Sequence, residues 1–246
     1  MSVVRPLRRR KRRSLVVLAR VYALFLVLVV VLLGAAAYAF VTSPSLRAKH
    51  VSVAPTAHVT ATEIRAAAAI DPETNVWLLN TGAVARRIER IPYVDRAAVV
   101  RAFPATVRLD VSERRDWACV AAGSARAAVD TSARVLHAGC SPSLPLLRSP
   151  HSVLRAGSSI SDRVGQQLMR DQARLAATIA PHVLGFDRFG SLEGALTSGV
   201  VVRFGSDRDL EAKAALVGPI LDTAGAHAHR VRSVDLRAPA TPVVGY

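Results

Sequence analysis

The stretch from Val21 to Val41 contains 21 residues and no charge. At the helical rise such a run reaches about 30 Å, the hydrocarbon thickness of a bilayer. It is apolar on every side, whereas a helix on the surface of a globule keeps a polar face. Tyr22 and Tyr38 stand near its two ends, where interfacial aromatic belts form. The run therefore reads as a transmembrane helix over residues 21–41, with the lipid bilayer as its partner. The competing reading is a cleaved signal peptide, because Ala37-Tyr38-Ala39 fits a small-x-small cleavage pattern. Signal-peptide apolar cores run only ~7–15 residues, which favours a retained anchor.

The charge distribution orients this span. The chain carries a formal +15, and the first 20 residues supply Arg5, Arg8, Arg9, Arg10, Lys11, Arg12, Arg13 and Arg20 with no acid. A basic cluster at one end of a span predicts a cytoplasmic N-terminus, with the remainder on the far side of the membrane. Residues 1–20 thus read as a basic cytoplasmic tail. Over half of the excess charge precedes an anchor and does not lie on a folded face, so nucleic acid is excluded as the partner. An apolar content of 51% excludes a disordered chain. Two cysteines exclude a dense disulfide scaffold and a four-cysteine zinc site. Cys119 and Cys140 fall on the oxidising side of the predicted topology. They either close a disulfide or leave Cys119 as a buried thiol in an apolar strand.

Beyond the span the periodicity changes. His50–Ala54 alternates as a short strand. Thr60-Ala-Thr-Glu63 fits a capping box, followed by an Ala-rich helix to Ile70 that Asp71-Pro72 ends. Asn80 or Thr81 caps a second helix to Ile91, with Val84, Ile88 and Ile91 on one face. Val94–Ala102 and Thr106–Val111 read as a hairpin with a two-residue reversal. Strand, helix, helix, strand, strand is a pattern that packs two helices on one face of a small sheet. Further on, short strands are predicted at 117–121, 127–130 and 134–137. A helix capped by Ser161 or Asp162 runs to Ile179, with Val164, Leu168, Leu175 and Ile179 as its buried stripe. Strands follow near 183–187, 191–197 and 200–204. A helix from Asp207 or Asp209 then buries Leu210, Ala214, Val217 and Leu221, and a late strand covers Arg230–Arg237.

No motif points to catalysis. The chain lacks a Gly-x-Ser-x-Gly elbow, a His-Glu-x-x-His pair and a Walker loop. Asp110 and Glu113, three residues apart on a strand, point to opposite faces and do not converge. His227-Ala228-His229 can share a strand face, yet no third ligand is near in sequence. The reading is therefore of a binding protein, not an enzyme, with no catalytic residues, no metal site and no cofactor.

Several segments together carry a family resemblance. They are Thr60-Ala-Thr-Glu63-Ile64, Asn75-Val76-Trp77-Leu78, Arg87-Ile88-Glu89-Arg90-Ile91-Pro92-Tyr93-Val94, Ala97-Ala98-Val99 and Arg101-Ala102-Phe103-Pro104. Thr106-Val107 and Val111-Ser112-Glu113-Arg114 complete the first module. Leu144-Pro145-Leu146-Leu147, Lys213 and Val234-Asp235-Leu236-Arg237-Ala238-Pro239 follow later. In order and spacing the chain resembles the FtsQ/DivIB family of bacterial cell-division proteins. Two positions depart from the family pattern: Asp116 stands where proline is usual, and Ala133 where glycine is frequent.

The resemblance implies an α+β fold. It has an N-terminal transmembrane helix, a POTRA domain (47–115) and a second mixed α/β domain with an antiparallel sheet (116–246). It implies a non-enzymatic scaffold of the divisome at the septum of the cytoplasmic membrane. Such a scaffold links early and late division proteins by binding FtsB-like and FtsL-like partners and other divisome components. Carried over by position, the partner surface falls on Leu236, Arg237, Ala238, Val243, Val244, Gly245 and Tyr246. A terminal edge strand suits strand addition, and Arg237 would fork onto a partner carboxylate. The alternatives are a POTRA-bearing export or assembly factor and an anchored cell-wall enzyme.

Overall fold

A computed structural model describes residues 9–224 and 230–246, with side chains from Leu18 onward; His227 and His229 lie outside the described residues. Helix α1 (Arg9–Thr42) holds 34 residues and starts inside the basic tail, ahead of the uncharged run. Its segment Leu18–Thr42 is long and apolar enough to cross a membrane and is not covered by the rest of the chain.

The chain then enters a small α+β unit: β1 (His50–Val53), α2 (Ala61–Ala68), α3 (Thr81–Ile88), β2 (Val94–Ala102) and β3 (Thr106–Glu113). The order is the predicted one. The sheet runs β1-β3-β2, so the last strand lies in the middle. β1 is parallel to β3, from His50↔Thr106 to Val53↔Leu109. β2 and β3 are antiparallel and meet at Ala102↔Thr106. The hairpin loop therefore holds three residues, Phe103-Pro104-Ala105, and not the two that were expected.

Alternation along β3 sends Val107 and Leu109 inward, where they meet Ile64 and Ala68 of α2, Val84 and Ile88 of α3, and Val94 of β2. Burying each of the larger side chains contributes ~1.5–3 kcal/mol. Local chemistry sets the helix ends. The Thr60 hydroxyl accepts from the Glu63 amide at 3.2 Å, and the Asn80 carboxamide oxygen accepts from the Ala83 amide at 3.0 Å. Both helices end earlier than their patterns suggested. Ala69 turns left-handed (φ 44°), and the Arg87 guanidinium takes the Ala68 carbonyl.

The rest of the chain builds one mixed sheet. Its elements are β4 (Ala118–Ala122), β5 (Ala125–Val129), β6 (Val135–Ala138), β7 (Leu146–Arg148), α4 (Arg163–Ala176) and β8 (Val183–Phe186). β9 (Leu192–Ala195), β10 (Val201–Gly205), α5 (Leu210–Ala224), β11 (Ser233–Asp235) and β12 (Val243–Gly245) complete it. The nine strands run β12-β11-β10-β9-β8-β7-β4-β5-β6. Most neighbours are antiparallel, while β4–β7, β7–β8 and β10–β11 are parallel. α4 and α5 share one face, where Leu168, Leu175, Leu210, Ala214 and Val217 pack on Val120, Leu147, Leu184, Val202 and Phe204. The late strand predicted over residues 230–237 shortens to β11, so Leu236 and Arg237 follow it.

Several polar groups hold this unit in register. Asp162 caps α4 by accepting from the Gly165 amide at 2.7 Å and from the hydroxyls of Ser149 and Ser152. A Cβ on Gly165 would come within 2.8 Å of both Asp162 and Ser152, so the first turn of α4 requires glycine there. Lys213, 4% exposed, donates Nζ to the carbonyls of Phe204 (2.7 Å) and Ser206 (3.0 Å). Cys119 and Cys140 form a disulfide across Cα atoms 5.8 Å apart. Ala133 has φ 63°, a left-handed conformation natural to glycine.

Residues 113–116 join the two units. Arg114 donates Nε to the Val94 carbonyl, pairs with Asp95 at 3.0 Å, and reaches Asp130 at 2.6 Å. Asp116 accepts from the Tyr93 hydroxyl at 3.1 Å and lies 3.2 Å from His137 Nε2. Burial, helped by Asp116, pushes the Tyr93 phenol up to about 12. The Tyr93 ring also stacks on His58 and His137, at centroid distances of 4.6 and 5.7 Å.

Candidate partner-binding edge

β12 follows a stretch of Ala, Pro and Thr that cannot continue a helix, and it forms the outermost strand of the large sheet. Its inner edge pairs with β11 through Ser233↔Gly245, Val234↔Val244 and Asp235↔Val243. Among the described residues no strand pairs with its outer edge. An outer strand of this kind is a template on which an extended segment can add.

The seven residues expected to bind a partner do not all face the same way. Val244 points to the helix side, in contact with the core. Val243 and Gly245 take the opposite face by alternation, with Val243 64% exposed. Tyr246 is exposed beside α5. Leu236 is fully buried among the core residues, and its amide donates to the Arg203 carbonyl. It fixes the strand end and offers a partner no side chain. Ala238 is exposed in the turn that leads to β12.

Arg237 departs from its expected geometry. Its guanidinium already forks onto a carboxylate of its own chain: Nε lies 3.0 and 2.9 Å from the two Asp235 oxygens, and Nη2 lies 2.6 Å from Oδ2. The Arg237 amide adds a bond to Oδ1 at 3.0 Å. This pairing holds the Asp235 carboxyl below its usual range. Arg237 remains exposed, so an incoming carboxylate would share the guanidinium with Asp235 and would not find it free.

A groove runs along the helix side of this edge. Leu216, Pro219, Ile220, Thr223 and Ala224 of α5 face Pro242, Val244 and Tyr246 across a largely apolar cavity of about 360 Å³. The α5 residues were missed in the sequence. Their spacing of three and four marks a second apolar stripe beside the buried one, and that signal was available.

The carboxylates considered for chemistry, Asp110 and Glu113, have other occupations. Asp110 pairs with Arg108 at 2.8 Å. Glu113 accepts the backbone amides of Ala57, His58 and Val59. The two do not converge.

Comparison with known proteins bears on this arrangement. Residues 46–114 match the family model described as a POTRA domain, FtsQ-type. A cell division protein FtsQ from Streptomyces collinus is 30% identical over 244 residues, covering 95% of this chain and 88% of the relative. The chain belongs to the FtsQ family of cell division proteins. FtsQ relatives from Streptomyces venezuelae (29% identity, 87% of this chain and 80% of the relative) and Streptomyces griseus (27%, 81% and 97%) agree. As an FtsQ-family protein it has a role in the division machinery, and among the described residues one helix, Leu18–Thr42, is long and apolar enough to cross a membrane.

Proposed function

We propose that this FtsQ-family chain is a non-enzymatic scaffold of the divisome, holding its small membrane partners on the outer edge of β12. The N-terminal tail lies in the cytoplasm, and residues 47–115 and 116–246 form two extracytoplasmic domains. The partners are FtsB-like and FtsL-like proteins, other divisome components meet the same scaffold, and the site of action is the septum. One observation carries the reading: an outer strand without a strand partner among the described residues lies directly beside an apolar groove. A partner segment can add to β12 while an apolar side chain enters between α5 and Tyr246. Arg237, exposed but paired with Asp235, can share its guanidinium with a partner carboxylate.

Binding of the full-length chain to an FtsB-type partner tests the proposal. Tyr246→Ala and Ile220→Asp are each expected to weaken it by roughly 30-fold, the effect of losing a hot spot of ~2 kcal/mol. Arg237→Ala is preferred to Arg237→Glu, because glutamate would stand against Asp235 and disturb the fold on its own account. Unchanged partner affinity in all three variants would overturn the assignment.

A further inference from the structure

The end of α1 is tied to the small α+β unit by a side chain from far along the chain. Asn75, 6% exposed, donates Nδ2 to the carbonyls of Phe40 (3.0 Å) and Val41 (3.4 Å). These are carbonyls of the last turn, which a helix leaves without an internal partner. The Asn75 side-chain oxygen accepts the Trp77 amide at 2.9 Å, which sets the following loop. Two further backbone bonds, Ala48 N to Thr74 O and Val76 N to Leu46 O, fasten this loop to the segment leaving the helix. The loop is thereby fixed to the point where the chain emerges from the bilayer.

The distances are short. Two residues span at most ~7 Å, so Trp77 lies within that reach of the Asn75 backbone. The polar headgroup layer on each side of the hydrocarbon core is about 5–7 Å deep. Trp77 is 37% exposed and Leu78 57% exposed. The hairpin tip falls at the same end, because the His50 amide at the start of β1 donates to the Ala105 carbonyl and Arg101 Nη2 donates to the Leu79 carbonyl. That tip presents Phe103, 79% exposed. Tyr38 and Phe40 are exposed on the last turns of α1, at the depth of an aromatic belt.

We propose that the FtsQ-type POTRA domain is seated on the bilayer, with Trp77, Leu78 and Phe103 inserted at the headgroup–acyl boundary as a second attachment beside the span. The occupant of this apolar end is lipid, because the end is continuous with the transmembrane helix and is held there by Asn75. The attachment, together with the Asn75 tie, fixes the tilt of the domain against the membrane plane.

The test uses the full-length chain reconstituted alone into phosphatidylcholine–phosphatidylglycerol vesicles. Trp117→Phe leaves Trp77 as the sole tryptophan. Lipids brominated high on the acyl chain are expected to remove most of its emission, lipids brominated near the bilayer centre little, and aqueous iodide little. Strong iodide quenching without lipid quenching would overturn the proposal and would leave the apolar end for another protein. Because Trp117 packs against the core, a second reporter stands on the Trp117 background: nitroxide-labelled Leu78→Cys, in a chain whose native cysteines are disulfide-bonded. Its collisions with oxygen are expected to exceed those with an aqueous nickel chelate. The reverse order would overturn the proposal as well.

Discussion

Glu113 offers a test of how the POTRA domain is fastened where it meets the second unit. Its two oxygens accept three consecutive amides: Oε1 from His58 and Val59 at 2.9 and 2.8 Å, and Oε2 from Ala57 at 2.9 Å. Burial acts to raise the carboxyl pKa, but the amides of Val59, His58 and Ala57 outweigh it and hold the group below the usual range. A folded pKa below the unfolded one means stability that is fully present above the ordinary carboxylate pKa of ~4.3. That stability is lost as the pH falls through the folded value. Glu113→Gln keeps one acceptor and turns an amino group towards the Ala57 amide. The remaining bonds fall from charge-assisted to neutral strength, and one donor loses its acceptor, at ~1–3 kcal/mol for the orphan. Ala57 is exposed and regains a water, so the net loss is about 2 kcal/mol. Hydrogen exchange of the amides at 57–59 reports this directly, with roughly 30-fold faster exchange expected in the variant at pH 7. The difference between the two proteins should shrink as the pH falls through the Glu113 transition. Equal exchange at neutral pH would refute the capping argument.

Two further perturbations follow from the large sheet's helices and strands. Asp171 is 2% exposed, one of its oxygens has no partner among the described residues, and burial together with the Asp207 charge pushes its pKa up to about 6. Its charged form therefore destabilises the fold above that pH, and Asp171→Asn should stabilise by about 1–3 kcal/mol at pH 7.5. That gain should vanish near pH 4, and a pH-independent difference in denaturation midpoints would contradict it. Replacing both Cys119 and Cys140 by serine releases a cross-link over a sequence separation of 21. A loss of about 3 kcal/mol is expected in denaturant unfolding, and an unchanged midpoint would count against the loop-closure account.

Local signals were legible in the sequence. The order of elements in the POTRA domain, the caps at Thr60, Asn80 and Asp162, and the alternation of Val107 and Leu109 all depend on residues within a few positions of each other. Contacts between distant segments were not legible. Nothing near Glu113 in the chain announces that it caps amides more than fifty residues away, and nothing near Asn75 announces the end of α1. At the candidate edge, the late strand was expected over residues 230–237, and the separate strand β12 was not read from the residues. The occupation of Arg237 by Asp235 was not anticipated, although i and i+2 share a strand face and Arg108 pairs with Asp110 in the same way; the family carry-over assigned Arg237 to a partner instead. Leu236 looked like part of a surface because its neighbours are; its burial depends on the closing of the sheet over α5.

The parallel pairing of β1 with β3 sets how this protein carries tension. The membrane helix leads into the start of β1, and the path to the second unit leaves from the end of β3. Pulling the second unit away from α1 loads these parallel strands in shear, from His50↔Thr106 through Val53↔Leu109 together. The ladder must then yield as a whole and cannot unzip one bond at a time. A pull between the apolar helix and the second unit is thereby spread over the whole β1–β3 ladder.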